Sequence, residues 1–108
     1  MFKTVFVSSI LLCCFLFPVH AGVQVYDKTL KTVALGWGGE GVYVATNEAT
    51  APEGGCSTST FVMTPDTPLF QENYAMLLAA FHANSKVNLY VDGCAGQNMK
   101  LKAVSVNR

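Results

Sequence analysis

Residues 68–94, PLFQENYAMLLAAFHANSKVNLYVDGC, decide the fold, because they read as an amphipathic helix handed by a short polar turn to an alternating strand. Phe70, Tyr74, Leu77, Leu78 and Phe81 recur at the i, i+4, i+7, i+8, i+11 spacing that lines one helix face. Ala75, Ala79 and Ala80 keep the flanks of that face small enough for close approach to a sheet. The stripe is therefore expected to be core rather than a site. Thr67 is positioned to cap the helix, Pro68 to take the first helical position, where a missing N–H costs nothing, and Asn84 to provide a left-handed exit. Val87, Leu89 and Val91 then alternate with Asn88, Tyr90 and Asp92, the period of a strand buried on one face.

Working upstream, residues 56–63 (CSTSTFVM) form a third strand rich in threonine and β-branched side chains, stopped by the two prolines of residues 64–68. Residues 47–55 (NEATAPEGG) have no apolar period and read as a surface loop. Before it, residues 42–46 pair as a hairpin with residues 30–37 across a glycine-rich turn, Val33, Leu35 and Trp37 sharing one face. Residues 22–26 alternate, and Asp27 with Lys28 turns or bulges the chain before it continues. Downstream, a turn within residues 92–98 leads to a last strand over 99–106. Met99, Leu101 and Ala103 have one parity there and Val104 and Val106 the other, so a bulge is expected near Ala103.

The ends and the totals limit what such a domain can be. Lys3 and the uncharged apolar run of residues 5–17, followed by Pro18, Val19, His20 and Ala21, read as a signal peptide cleaved after Ala21, leaving a single domain over residues 22–108. The apolar run is short for a membrane span, and no second one follows to anchor the mature form. Cys13 and Cys14 lie inside the leader, but Leu12 occupies the position where a lipidated cysteine is preceded by a small residue. The export signal implies a secreted or periplasmic location. Of the four cysteines, Cys56 and Cys94 remain, and in an exported chain a lone pair is expected to form a disulfide. The competing reading is two free thiols or half a metal site. Closing that loop is worth about 4 kcal/mol on chain-entropy grounds. Against a typical domain stability of roughly 5 to 15 kcal/mol, that is a large share.

The mature chain is nearly neutral and lacks the basic excess that phosphate backbones require, so nucleic acid is not an expected partner. Catalytic groupings are equally thin. His82 is the one histidine after the leader, and no serine or cysteine is predictably close to it. The acidic residues are scattered, with no D-x-D, E-x-x-H or paired spacing, so neither a metal nor another cofactor is expected. Residues 38–41 (GGEG) lack the lysine and helix start of a phosphate loop. Binding has more support. Tyr43 and Tyr90 fall on the strand face opposite their valine and leucine neighbours, where their rings can stack on a ligand, and Trp37 is either a plug at the hairpin end or an exposed anchor. Tyr90 has a second reading too, as a ring packed beneath the helix or in a subunit interface. Lys100 and Lys102 read as a solvated edge that discourages aggregation.

The element order βββαββ, with one helix packed on the sheet, gives an α+β, mainly β class and a small OB-like Greek-key barrel or curled sheet. Residues 74–106, with the helix YAMLLAAFHANSK followed by VNLYVDGC and KLKAVSV, resemble the C-terminal part of the B subunits of bacterial AB5 toxins of the cholera and heat-labile enterotoxin type. They also resemble a group of short exported bacterial proteins with no assigned activity, which share a V-x-L-Y-V-D-G-C type strand. The resemblance covers about the last third of the chain and is structural. It implies an OB-like domain that binds a glycan or a protein surface and assembles with copies of itself. Two departures limit what is carried over: the toxin subunits place their disulfide differently, and the tryptophan of their ganglioside pocket has no counterpart at Asn84, Ser85 and Lys86 or in residues 92–98. No glycan-binding residue transfers. The sequence thus supports a non-enzymatic binding module first. A cell-envelope structural or inhibitory protein that attaches to another protein is the alternative, and a small hydrolase built on His82 comes third.

Overall fold

A computed structural model describes residues 22–36 and 41–107, so the leader expected over residues 1–21, Trp37 and most of the glycine-rich turn lie outside the described residues. Six strands and one helix follow in the order β1 (Val23–Lys28), β2 (Leu30–Leu35), β3 (Val42–Thr46), β4 (Phe61–Met63), α1 (Phe70–Ala83), β5 (Lys86–Ala95) and β6 (Asn98–Asn107). They form one six-stranded sheet in the order β1-β5-β6-β4-β3-β2. All neighbours are antiparallel except β4 and β6, which run parallel. The mainly β, α+β class read from the sequence is the one observed.

The two ends of this strand order, β1 and β2, are separated in the chain only by Thr29. The first strand expected from the sequence is thus two strands with different partners. The break is built at Asp27, whose φ of 57° lies in the left-handed region that asparagine and aspartate tolerate best, and the β1–β5 register slips between Val25 and Lys28. The Asp27 N–H donates to Asn88 Oδ1 at 3.0 Å. Thr29 is then clasped by the start of the following loop: its N–H and its hydroxyl donate to the two Glu48 carboxylate oxygens at 2.8 Å each, and its carbonyl accepts the Asn47 N–H at 2.9 Å.

These hydrogen bonds from Thr29, with the nearby Lys28 cation adding to them, hold the Glu48 carboxyl below its ordinary range. A carboxylate depressed in the folded state leaves the unfolded chain binding more protons in acid. Its contribution is therefore present above the ordinary carboxylate range and lost as pH falls through the lowered value. Glu48→Gln removes that contribution. The denaturant midpoints of wild type and variant are expected to differ at neutral pH and to converge on acidification; a gap that stays constant from pH 7 to pH 3 would contradict this account.

Alternation builds the core. Val87, Leu89 and Val91 of β5 are buried, as are Met99, Leu101 and Val104 of β6. Leu101 and Val104 keep the same side because the register steps from Tyr90↔Ala103 to Val91↔Leu101, leaving Lys102 as the extra residue of a bulge, one position from where the parity change puts it. Phe61, Met63, Val42 and Val44 complete the layer, with Leu77 and Ala80 of α1 packed on it.

The helix departs from expectation at its start and in its phase. Thr67 does not cap it: the residue is buried in the turn after β4, its N–H donates to the Thr64 carbonyl at 3.0 Å, and its hydroxyl lies 3.5 Å from that of Thr64. Pro68 is accordingly not the first helical residue. Leu69, left-handed at φ 58°, precedes the first turn with no side-chain cap. The buried line runs through Asn73, Leu77 and Ala80, with Phe70 and Tyr74 partly buried beside it, while Phe81 turns outward at 40% exposure. The exit is as read. Asn84 is left-handed at φ 53°, and a Schellman closure forms as Asn84 N–H meets Phe81 O at 3.4 Å and Ser85 N–H meets Ala80 O at 3.0 Å.

Candidate functional site

The third strand is shorter than its sequence implies, since only residues 61–63 join the sheet and residues 56–60 run up to it irregularly. That approach is fastened across to the β5–β6 hairpin. Cys56 and Cys94 form the expected disulfide, with Cα atoms 5.6 Å apart and 38 residues of separation. The Ser57 and Thr58 N–H groups both donate to the Gln97 carbonyl, at 2.9 and 3.1 Å. The Thr58 hydroxyl donates to Asn98 Oδ1 at 2.6 Å, and Met99 N–H returns a bond to the Thr60 carbonyl at 2.9 Å.

This stitching sets Thr60 and Asn98 beside Tyr43. Tyr43 is the second residue of β3, between Ala34 of β2 and Val62 of β4 in the register, and alternates away from the buried Val42 and Val44. Val62 also points away from the core occupied by Phe61 and Met63, yet it is buried as well. Two hollows of about 350 Å³ each share Tyr43 and Asn98. Thr32, Ala34, Ala45 and Thr60 line the first, and Val62, Ala95, Gly96 and Gln97 the second. An aromatic ring flanked by small apolar side chains, hydroxyls and an amide suits a flat ligand with one apolar face and polar edges.

Of the residues singled out from the sequence, Tyr43 sits in this site and Tyr90 does not. Tyr90 is half-buried on β5 beside Ala103 of β6 and Gln24 of β1, and its ring lies so close to Gly22 that a Cβ there would come within 2.3 Å of it. It packs over the start of the first strand. Trp37 lies outside the described residues. Thr32, Thr60 and Asn98 went unrecognised in the sequence because they are far apart in the chain and a lone threonine in a strand, or asparagine at a turn, has no local signal.

The surroundings are electrostatically quiet. Lys100, the register partner of Val62, has its ammonium 3.9 Å from Asp66, and Lys102 has its own 4.0 Å from Asp92. A hydrogen bond from the Thr64 hydroxyl, helped by the Lys100 cation, holds the exposed Asp66 carboxyl below its usual range. His82 is exposed on α1, its ring edge-on to Phe81 at 6.0 Å between centroids. Among the described residues, no group of three histidine, cysteine or acidic side chains is arranged to hold a metal ion, and no helix is long and apolar enough to cross a membrane.

No protein-family model and no curated protein matches the chain. The reading of function therefore rests on the geometry.

Proposed function

We propose that the protein is an exported, non-enzymatic binding module with an OB-type Greek-key barrel, and that it holds carbohydrate on the face around Tyr43. The barrel reading is supported by the connectivity: a first strand broken at Asp27 pairs with β5 through one half and with β3 through the other, and the parallel β4–β6 pair joins the two hairpins. Export is supported by the leader pattern of residues 1–21 and by the disulfide, a bond that persists in oxidising compartments.

One observation carries the carbohydrate reading: Tyr43 lines a hollow together with Thr32, Thr60 and Asn98, an aromatic, two hydroxyl-bearing residues and an amide, the residue types that match the apolar face and hydroxyl rim of a sugar ring. A glycan array with the mature protein tests it. Wild type is expected to bind a defined set of sugars, Tyr43→Ala to lose them with little change in melting temperature, and Tyr43→Phe to keep most of them. Binding of no sugar at all would end this reading.

A second reading, attachment to another protein or to copies of the chain in a ring, is favoured by a different place. Leu35, at the end of β2, is 58% exposed and borders a hollow of about 490 Å³ with Phe70 and Tyr74, and Leu69, just before α1, is 68% exposed. Light scattering tests the ring, which a strict monomer removes, and a pull-down from envelope extract tests attachment to another protein, which requires a protein partner and indifference to sugar.

A further inference from the structure

The two hollows that meet at Tyr43 specify the ligand more closely than the class alone. We infer that the ligand is a neutral saccharide at least two rings long, laid across Tyr43 so that one ring occupies each hollow. This rests on the carbohydrate reading above.

Charge is the first argument. Among the described residues, no carboxylate, ammonium, guanidinium or imidazole lines either hollow. On β6, Lys100 lies 3.9 Å from Asp66 and Lys102 4.0 Å from Asp92, so each has an acidic partner. An acidic sugar or a phosphodiester seated here would lose water from its charge without gaining a cation in exchange, and a desolvated, unpaired anion is strongly disfavoured. A nucleic-acid strand, whose bases also stack on tyrosine, is disfavoured for the same reason.

Hydrogen-bonding capacity is the second. The Thr32 and Thr60 hydroxyls have no side-chain hydrogen bond to the described residues, and Asn98, whose Oδ1 accepts from the Thr58 hydroxyl, lines both hollows. A hydroxyl that both donates and accepts, next to an amide with donors on its nitrogen and an acceptor oxygen, complements a vicinal diol. Ala34, Ala45 and Val62 keep the rest of the surface low and apolar, so a ring can lie flat against it.

Size is the third. Each hollow, at about 350 Å³, sits at the small end of the roughly 300–1,000 Å³ typical of ligand sites. Tyr43 and Asn98 belong to both, so a ligand reaching from one hollow to the other keeps these two residues and adds those that line only the second. A single ring in one hollow forgoes the latter.

The test is a titration of the isotope-labelled mature protein, followed by amide shifts, with a panel of neutral monosaccharides (glucose, galactose, N-acetylglucosamine), the neutral disaccharides lactose, cellobiose, maltose and chitobiose, 3′-sialyllactose, and a thymidine hexanucleotide. At least one neutral disaccharide is expected to bind ten times or more tightly than its constituent monosaccharide, moving the amides of both Thr60 and Gln97. 3′-Sialyllactose is expected to bind no more tightly than lactose. Thr60→Val is expected to weaken the disaccharide about 3- to 10-fold, the range for one neutral hydrogen bond, at unchanged melting temperature. If no sugar moves any amide, the carbohydrate reading and this inference fall together. If sugars bind but a monosaccharide equals its disaccharide, or sialyllactose exceeds lactose, the carbohydrate reading stands and this inference falls. Tighter binding of the hexanucleotide than of any sugar overturns both.

Discussion

Replacing Cys94 with serine is expected to lower the stability of the fold by about 4 kcal/mol, the chain-entropy value of a cross-link closing a loop of this length. For a domain of this size, that corresponds to a fall in melting temperature on the order of 15 to 30 °C. The bond joins Cys56 to Cys94 across 38 residues, a span that includes β4, the whole of α1 and most of β5. Without it, the approach to β4 stays on the β5–β6 hairpin only through the bonds of Ser57 and Thr58 to Gln97 and Asn98 and that of Met99 to Thr60. Each neutral hydrogen bond has a net worth of only about 1 kcal/mol, and all of them fail together if this segment lifts. The Ser57 and Thr58 amides should therefore exchange with solvent faster in Cys94→Ser than the amides of Val87 and Leu89. Cys56→Ser should cost the same, and the double variant no more than either single one, because both substitutions delete one bond. Gln97→Ser, which changes an exposed side chain and leaves the backbone carbonyl in place, is the control; equal denaturant midpoints for it and Cys94→Ser would show that the bridge carries no stability.

What the sequence made legible were the features whose signals are local. The left-handed exit at Asn84, the break at Asp27 and the alternation of Val87, Leu89 and Val91 each depend on a few adjacent residues, and each is found where the residues put it. The parity change in β6 located its bulge to within one residue. The disulfide was legible for another reason, since Cys56 and Cys94, the two cysteines outside the expected leader, have one pairing available. Non-local features were not legible. Nothing in residues 22–35 says that the two halves of that stretch pair with strands on opposite ends of the sheet order. The Thr67 cap had the right residue type, but Thr67 was already committed to the tight turn with Thr64, so the helix begins after a left-handed Leu69 instead. In the candidate site, Tyr43 was found by strand parity and Thr32 lies across the β2–β3 hairpin from it, whereas Thr60 and Asn98 come to it from parts of the chain remote from that hairpin. The parity argument gave Tyr43 and Tyr90 equal standing, and only the packing of Tyr90 on Gly22 distinguishes them.

Two phenylalanines make the difference between periodicity and packing measurable. The helical spacing assigns Phe81 to the core face, but the helix is rotated so that Ala80, 1% exposed, occupies that place and Phe81 is left at the rim. Asn73 is buried, with its N–H bonded to Leu69 O at 2.8 Å and its amide reaching Pro68 O at 3.4 Å, so the first turn is tied down through a residue that hydrophobic spacing does not count. Phe61, by contrast, has no helical pattern to announce it; it lies in a three-residue strand, fully buried, paired with Val44 on one side and Met99 on the other. That strand is the joint between the two halves of the sheet, and it has no length to spare. Phe61→Ala is expected to cost about 3 to 5 kcal/mol from lost burial and the cavity left behind. Phe61→Leu is expected to cost less, because more of the volume is kept. Phe81→Ala should cost no more than about half the loss at Phe61, since its ring already meets water and only part of its burial is at stake. Urea midpoints of the three variants measure the ordering; a loss at Phe81 equal to that at Phe61 would mean that the helix face read from spacing, and not the one through Asn73, Leu77 and Ala80, meets the sheet.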